Sequence, residues 1–552
     1  MHRITILSIL LTPTFAAASP PVASYIFPAG GQRGTKVNVR VGGLFLHQKC
    51  GFEMLGSGIN APSFLTRTKT TWFEGPLLPL PDSQRQEDYP KDMAGHIAIA
   101  PDASPGVRHW RVWSSQGATS SMKFVVGDLP EIVEDEIDGD PVPVAVTLPV
   151  TINGRVFPRE DVDVYSFRAR SHQVIRCEVH AARLGSPLDA RLEIRDVNGR
   201  RLAESDATAS DPGLTFIAPA YGEFRVHIHD ARMLGGQAFV YRLTITADTH
   251  VERVFPLGAR RGSTVEFELA GHDKQRIAIP KDAPADYSHS FGVGGKKSND
   301  INLDIDEHPE FIAPHNAPVP LPAILNGRIQ EPGKIDEWRW HAKKGDAWEF
   351  ELRAARLGSK LDGIVTITDA AGKTLSKAEA TANDCVARFT APADGEYRVL
   401  VQDRFRTRGG PEFAYRLRVT APTPDYRLTL GSDAIALPRK GTAKLKLLAE
   451  WSGGVKGTFR IHVQGLPPGV TVKESTLAAN QPSIDLVLQA DDSAKIDASR
   501  LTIISKPIVP DAKLERTATL PPTRGAAPQS SVLLAVALPT PFVIKGEYDM
   551  GF

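Results

Sequence analysis

Ile152-Asn153-Gly154-Arg155 returns later in the chain as Leu325-Asn326-Gly327-Arg328, and Ala181-Ala182-Arg183-Leu184-Gly185-Ser186 returns as Ala354-Ala355-Arg356-Leu357-Gly358-Ser359. The separation is constant, since 326 − 153 and 356 − 183 both give 173. It holds through Leu188-Asp189 and Leu361-Asp362, Asp196 and Asp369, Gly199 and Gly372, and Gly222-Glu223-Phe224-Arg225 with Gly395-Glu396-Tyr397-Arg398. One inserted residue then carries Phe239 to Phe413 and Tyr241 to Tyr415. A stretch this long written twice is a duplicated folded module, and an enzyme seldom needs one active site twice in one chain. The expectation is a modular, non-catalytic protein.

Within the repeat the period is that of strands. Asp163-Val164-Tyr165-Ser166-Phe167 and Phe224-Arg225-Val226-His227-Ile228-His229 alternate apolar with polar residues, as a strand with one buried face requires. The second copy repeats the pattern in Trp338-Arg339-Trp340 and Tyr397-Arg398-Val399-Leu400-Val401. Asp196-Val197-Asn198-Gly199 and Asp369-Ala370-Ala371-Gly372 supply hairpin chemistry between strands. A sheet with one apolar face must cover it with another sheet, so the fold class expected is all-β, a tandem array of β-sandwich domains of jelly-roll or immunoglobulin-like type. Phe167 and Trp340 should occupy equivalent buried positions.

A fainter repeat flanks the first. Phe27-Pro28-Ala29-Gly30-Gly31-Gln32-Arg33-Gly34-Thr35-Lys36-Val37 returns as Phe255-Pro256-Leu257-Gly258-Ala259-Arg260-Arg261-Gly262-Ser263-Thr264-Val265, at an offset of 228. Each segment precedes a Pro-Glu junction, Pro130-Glu131 or Pro309-Glu310, that leads into the larger repeat. The duplicated object is therefore a pair, a small strand-rich module followed by a sandwich. The expected division is a signal peptide at 1–18, an immunoglobulin-like β domain at 19–128, a sandwich at 129–247, a short immunoglobulin-like domain at 248–312, a second copy of the sandwich at 313–421, a further sandwich at 422–521, and at 522–552 a linker and the start of another β element. On this reading Val532–Leu538 and Pro541–Tyr548 are two new strands, and the chain stops inside a larger architecture.

His2 and Arg3 before an apolar run to Phe15, then Ala16-Ala17-Ala18, read as a secretory signal, so the mature protein is expected to be secreted, periplasmic or on the cell surface. No run is long enough to span a membrane as a helix. Lys+Arg 65 against Asp+Glu 64 gives a formal net charge of +1, which offers no general attraction to nucleic acid or anionic membrane. The three cysteines, Cys50, Cys177 and Cys385, cannot build a disulfide framework.

The larger repeat resembles the bacterial pre-peptidase C-terminal (PPC) domain, a β-sandwich appended to secreted proteases and other exported bacterial proteins. The resemblance rests on Gly154 leading into Asp161-Val162-Asp163-Val164-Tyr165-Ser166-Phe167, on Ser186-Pro187-Leu188-Asp189 with Leu192–Asp196 and Gly199, and on Ala220–Val226. The second copy supplies Ile335-Asp336-Glu337-Trp338, Ser359-Lys360-Leu361-Asp362 and Asp394–Val399. The small segments look like immunoglobulin-like modules of exported bacterial surface proteins.

Four sets of residues are candidates for chemistry. His227 and His229 alternate on a strand and so project to one face, a geometry zinc can use. The second copy has Leu400 and Gln402 there, and a solvent-facing structural role is expected. Asp161 and Asp163, with Asp135, Glu136, Asp138 and Asp140 upstream, could offer oxygen ligands to calcium. The resemblance implies the same, because some related sandwiches bind calcium near the domain entrance; a solvated acidic linker is the competing reading. The second copy has Lys334 in place of Asp161. Arg183, Asp189 and Asp230 recur as Arg356, Asp362 and Asp403 and are read as a structural tie or a ligand site. Gly292–Ser298 is phosphate-loop-like, but Lys297 stands where a hydroxyl residue should follow, and Arg404–Arg408 is a short basic loop. No catalytic, cofactor-binding or metal residue is assigned. The function expected is binding or spacing at the cell envelope or outside the cell, with an envelope or extracellular protein or a polysaccharide as partner and without nucleic acid. The alternatives are an accessory region of a secreted hydrolase or peptidase, with any hidden catalysis in 51–104, and a purely structural envelope component.

Overall fold

The computed structural model describes residues 20–46, 49–68, 92–135, 142–205, 211–247, 250–380, 384–508, 514–521 and 528–539. The expected signal segment and the expected strand Pro541–Tyr548 lie outside them. Among the described residues regular structure is β-strand, apart from two single-turn 3-10 helices at Ala182–Leu184 and Ala355–Leu357. The fold is all-β, an array of sandwich-like domains. The chain forms two compact units, one made of 1–247 with 425–451 and 455–552, the other of 248–424 with 452–454.

In the first unit the N-terminal module is one sheet whose strands run in the order Val22–Phe27, Lys36–Leu44, Met93–Ile99, Phe64–Arg67, Lys49–Leu55, Gly106–Ser114, Met122–Gly127 and Gly30–Gln32. It wraps a core that includes Phe52, Trp110, Val112 and Phe124. The sandwich that follows has two five-stranded sheets, and Tyr165, Phe167, Val226 and Ile228 fill the space between them.

The second unit repeats this pair. Strands Ala323–Arg328, Ile335–Ala342, Ala347–Arg353, Gly363–Asp369, Val386–Thr390 and Gly395–Asp403 lie 173 residues beyond Val150–Arg155, Val162–Ala169, Val174–His180, Ala190–Asp196, Gly213–Ile217 and Gly222–Asp230, and even the 3-10 turns coincide. The two copies of the sandwich thus match in every strand but one. Phe167 and Trp340 are both buried, as expected. The short edge strand Val144–Ala145 of the first copy has no counterpart, because Ala317-Pro318 stands there and proline cannot donate to a ladder.

The C-terminal sandwich, also in the first unit, corrects one expectation. Ser531–Ala537 does not begin a new element. It pairs in parallel with Ala434–Pro438 and antiparallel with Ala498–Pro507, inside the six-stranded sheet. Its apolar run is unbroken because both faces are covered. Val532, Leu534 and Val536 enter the sandwich core, while Leu533 and Ala535 pack with Ala118 and Trp113 of the N-terminal module. A boundary at 521 therefore cuts through a sheet. Arg111, buried, completes this contact by pairing with Glu53, which also receives Arg500 at 2.7 Å.

Candidate functional site

The motif Asn153-Gly154-Arg155, repeated as Asn326-Gly327-Arg328, divides three jobs among three residues at the joint between small module and sandwich. Asn153 accepts from Arg242 at 2.6 Å and donates to Glu131 at 2.9 Å; Asn326 does the same with Arg416 at 2.9 Å and Glu310 at 3.1 Å. Gly154 and Gly327 leave room for a tyrosine ring, since a Cβ would stand 2.3 Å from Tyr241 Cζ or 2.2 Å from the Tyr415 hydroxyl. Arg155 and Arg328 lay their guanidinium groups over Phe27 and Phe255 of the small module, at 4.7 and 4.0 Å from the ring centroids.

The Pro-Glu junctions find their reason here too. Glu131 binds Arg242, 4% exposed, through both carboxylate oxygens, and Glu310 binds Arg416, 0% exposed, in the same bidentate way. Arg416 has a second carboxylate, Asp304, at 2.9 Å. Gly30 lets the first small module approach this arginine, because a Cβ there would lie 2.1 Å from Arg242 Nη1.

Each joint leaves an open cleft beside it. The first, about 510 Å³, runs between the segment Phe27–Arg40 and the edge strand Glu131–Val133. The second, about 480 Å³, runs between Phe255–Glu268 and Glu310–Ile312. Their walls correspond position by position: Phe27 and Phe255, Pro28 and Pro256, Gln32 and Arg260, Lys36 and Thr264, Asn38 and Glu266, Val133 and Ile312. Val133 and Ile312 are 48% and 46% exposed, an apolar residue kept facing solvent in both copies. The rims differ in charge. Arg40 of the first is held by Asp92, and Glu268 of the second by Lys274 and Arg328, which keep its carboxyl below the usual range. An apolar edge with exposed polar groups around it suits noncovalent recognition. Sequence comparison had both halves of this site in the two repeats; their meeting across the Pro-Glu junction was not legible from period alone.

The residues singled out in the sequence lie elsewhere. His227 and His229 are half-buried on the outer face of their strand, among Arg191, Glu193 and Arg195, and desolvation lowers both imidazoles. The proposed set Arg183, Asp189 and Asp230 does not converge. Arg183 binds Asp211 at 2.7 Å and Glu178 at 3.0 Å, as Arg356 binds Asp384 and Glu351. Asp211 and Asp384, also 173 apart, accept the backbone amides that open the 3-10 turns. Asp230 and Asp403 instead accept the backbone amides of Asp189 and Asp362, a local structural tie repeated in both copies. Gly292–Ser298 is a hairpin turn through Gly294 and Gly295, and Arg408 of the basic loop ties Asp362 to Asp403. The three cysteines are buried free thiols, and desolvation pushes Cys50 and Cys177 up to about 12.

The acidic cluster turns inward. Glu134, absent from the expected cluster, receives the Tyr165 hydroxyl at 3.0 Å and the Arg155 amide at 2.9 Å; Asp163 receives the Tyr241 hydroxyl at 2.7 Å. Glu134 and Asp163 hydrogen-bond each other, and burial raises both. Asp161 accepts the Phe157 amide. Carboxyls buried and spent on internal donors make poor calcium ligands, so these described groups do not fit the ion. Glu136, Asp138 and Asp140 lie outside the described residues.

No family model matches the chain, and no curated protein does. Among solved structures it is similar to the pre-peptidase C-terminal domain of a collagenase from Bacillus anthracis, at 17% identity over 20% of this chain and 100% of that one, with a TM-score of 0.17. It is also similar to fibronectin(III)-like modules of CbhA from Clostridium thermocellum, at 12% identity over 38% of this chain and 88% of that one, TM-score 0.14. A third similarity is to the surface layer protein SbsC, domains 1–6, at 8% identity over 95% and 55%, TM-score 0.15. Likeness at this level assigns no function. Among the described residues no helix is long and apolar enough to cross a membrane.

Proposed function

We propose that the chain is an exported, non-catalytic array whose two small-module–sandwich pairs, the sandwiches being PPC-like, act as binding and spacing units at the cell envelope or outside the cell. The observation that carries this reading is the duplicated cleft. Its walls, its exposed apolar edge residue and the buried arginine joint beneath it recur in both pairs. Two equivalent clefts on one chain give a ligand that repeats, such as a polysaccharide or an arrayed envelope protein, a second attachment at high effective concentration. Cofactor chemistry has no part in the proposal.

Co-sedimentation of the mature protein with isolated cell envelope tests it. The protein should pellet with the envelope, and Val133→Asp together with Ile312→Asp should release it while leaving the fold intact, because both side chains are exposed. Turnover of an ester, peptide or glycoside substrate by the purified chain would overturn the non-catalytic reading, and envelope retention unchanged in the double variant would overturn the cleft assignment.

A further inference from the structure

The two small modules are not equally complete. The offset of 228 between Phe27 and Phe255 has fallen to 179 between Glu131 and Glu310, so the second module lacks 49 residues. The structure shows which. In the first module the strands Phe64–Arg67 and Lys49–Leu55 stand between Met93–Ile99 and Gly106–Ser114 and join them into one sheet. In the second, a two-residue turn, Ala270-Gly271, replaces that stretch. Its strands fall into two separate three-stranded sheets, and the counterparts of the bridged strands, His272–Ala278 and Asp286–Val293, are each a sheet edge.

The gap has the marks of a vacant strand position. Edge strands present unpaired backbone donors and acceptors. One of these acceptors, the Gly292 carbonyl, takes a hydrogen bond at 2.5 Å from the Gln275 side chain of the opposite edge, a side-chain amide doing what a neighbouring strand would do. Beneath the gap the core is half open. Tyr287, His289 and Phe291 form a ladder of ring contacts at 5.9 and 4.9 Å, of which only Phe291 is fully buried, and Ile277 and Val293 are likewise only partly covered. In the first module the bridging strands cover this place by burying Cys50, Phe52 and Leu65.

We infer that the second small module is an acceptor for an extended polypeptide strand supplied by another protein, with apolar residues at alternate positions that complete its core as Cys50 and Phe52 complete the first. Main-chain bonds to the two edges give the affinity, and the half-open core under Tyr287 and His289 selects the alternation. The proposal is independent of the clefts.

The test uses the full chain and, as probe, a synthetic peptide of residues 49–67 carrying Cys50→Ser to prevent oxidation. Amide exchange in His272–Ala278 and Asp286–Val293 should slow by about tenfold or more when the peptide is added in excess. A peptide with Phe52→Pro, which removes a donor and the core side chain, should give no protection. Gln275→Ala in the chain frees the Gly292 carbonyl and should strengthen peptide binding several-fold. Absence of protection on both edges would overturn the inference. So would protection confined to Met93–Ile99 and Gly106–Ser114, which would mean the peptide only exchanges with its own parent strands.

Discussion

The two sandwiches share a strand skeleton yet differ at one buried corner, where the first copy holds Glu134, Asp163, Tyr165 and Tyr241 and the second holds Asp336, Trp338 and Tyr415. In the first, the Tyr165 hydroxyl donates to Glu134 and the Tyr241 hydroxyl to Asp163, and the two hydroxyl oxygens lie 2.7 Å apart. In the second, the Trp338 indole donates to Tyr415, which donates to Asp336, and Lys334 approaches Asp336 at 3.8 Å. What stayed common after duplication is the apparatus of the joint: the Asn-Gly-Arg motif, the Pro-Glu junction and the buried arginine. What diverged is a polar network that only has to satisfy itself.

The largest expected effect probes the common skeleton. Trp340→Ala and Phe167→Ala should each destabilise their own sandwich by about 3–5 kcal/mol, read as local opening by hydrogen exchange. Trp340 packs on Phe350, Phe389 and Tyr397, and Phe167 on Phe224. A loss below about 1 kcal/mol in either copy would break the equivalence.

The joint should respond unequally. Glu131→Gln leaves Arg242 without its carboxylate, whereas Glu310→Gln leaves Arg416 still bound to Asp304. The first substitution should cost about 2–3 kcal/mol and the second about 1 kcal/mol. Equal costs would show that Asp304 adds nothing.

These contrasts bear on what the sequence made readable. Alternation and offset gave the all-β class, the duplication and the burial of Phe167 and Trp340, because strand period and repeat spacing are local signals. Ser531–Ala537 was misassigned because its partners, Ala434–Pro438 and Ala498–Pro507, are far along the chain, and an unbroken apolar run carries no mark of which sheet buries it. Asp211 and Asp384 were equally far from Arg183 and Arg356 in sequence, though their shared offset was a usable clue. The open seam of the second small module was also available, since two offsets that differ by 49 locate a deletion. The cleft was not, because it arises where one module meets the next.

The polar corner predicts a smaller contrast, in pH dependence. Burial raises Glu134, Asp163 and Asp161 in the first copy, the first two of them paired with each other, against Glu310 and Asp336 in the second, where Arg416 and Lys334 oppose the rise. A carboxyl raised in the folded state contributes stability that is fully present below the ordinary carboxylate range and is lost as pH rises through the folded value. Urea unfolding between pH 4 and 8 should therefore show the first sandwich losing stability more steeply with rising pH than the second, and Glu134→Gln should flatten that slope. A steeper fall in the second copy would reverse the assignment.

The smallest effect concerns calcium. Titrating calcium into the full chain should give no heat, given carboxyls already committed to internal donors. Heat that Asp161→Asn abolishes would restore the sequence-based expectation for the first sandwich.

The claim that the paired clefts are the working sites is tested most directly by hydrogen exchange on the intact protein, with and without isolated envelope polysaccharide or envelope protein. Protection by one of these fractions of both Phe27–Asn38 and Phe255–Glu266, together with the edge strands Glu131–Val133 and Glu310–Ile312, is the predicted result. Binding that leaves both segments exchanging as in the free protein would contradict it.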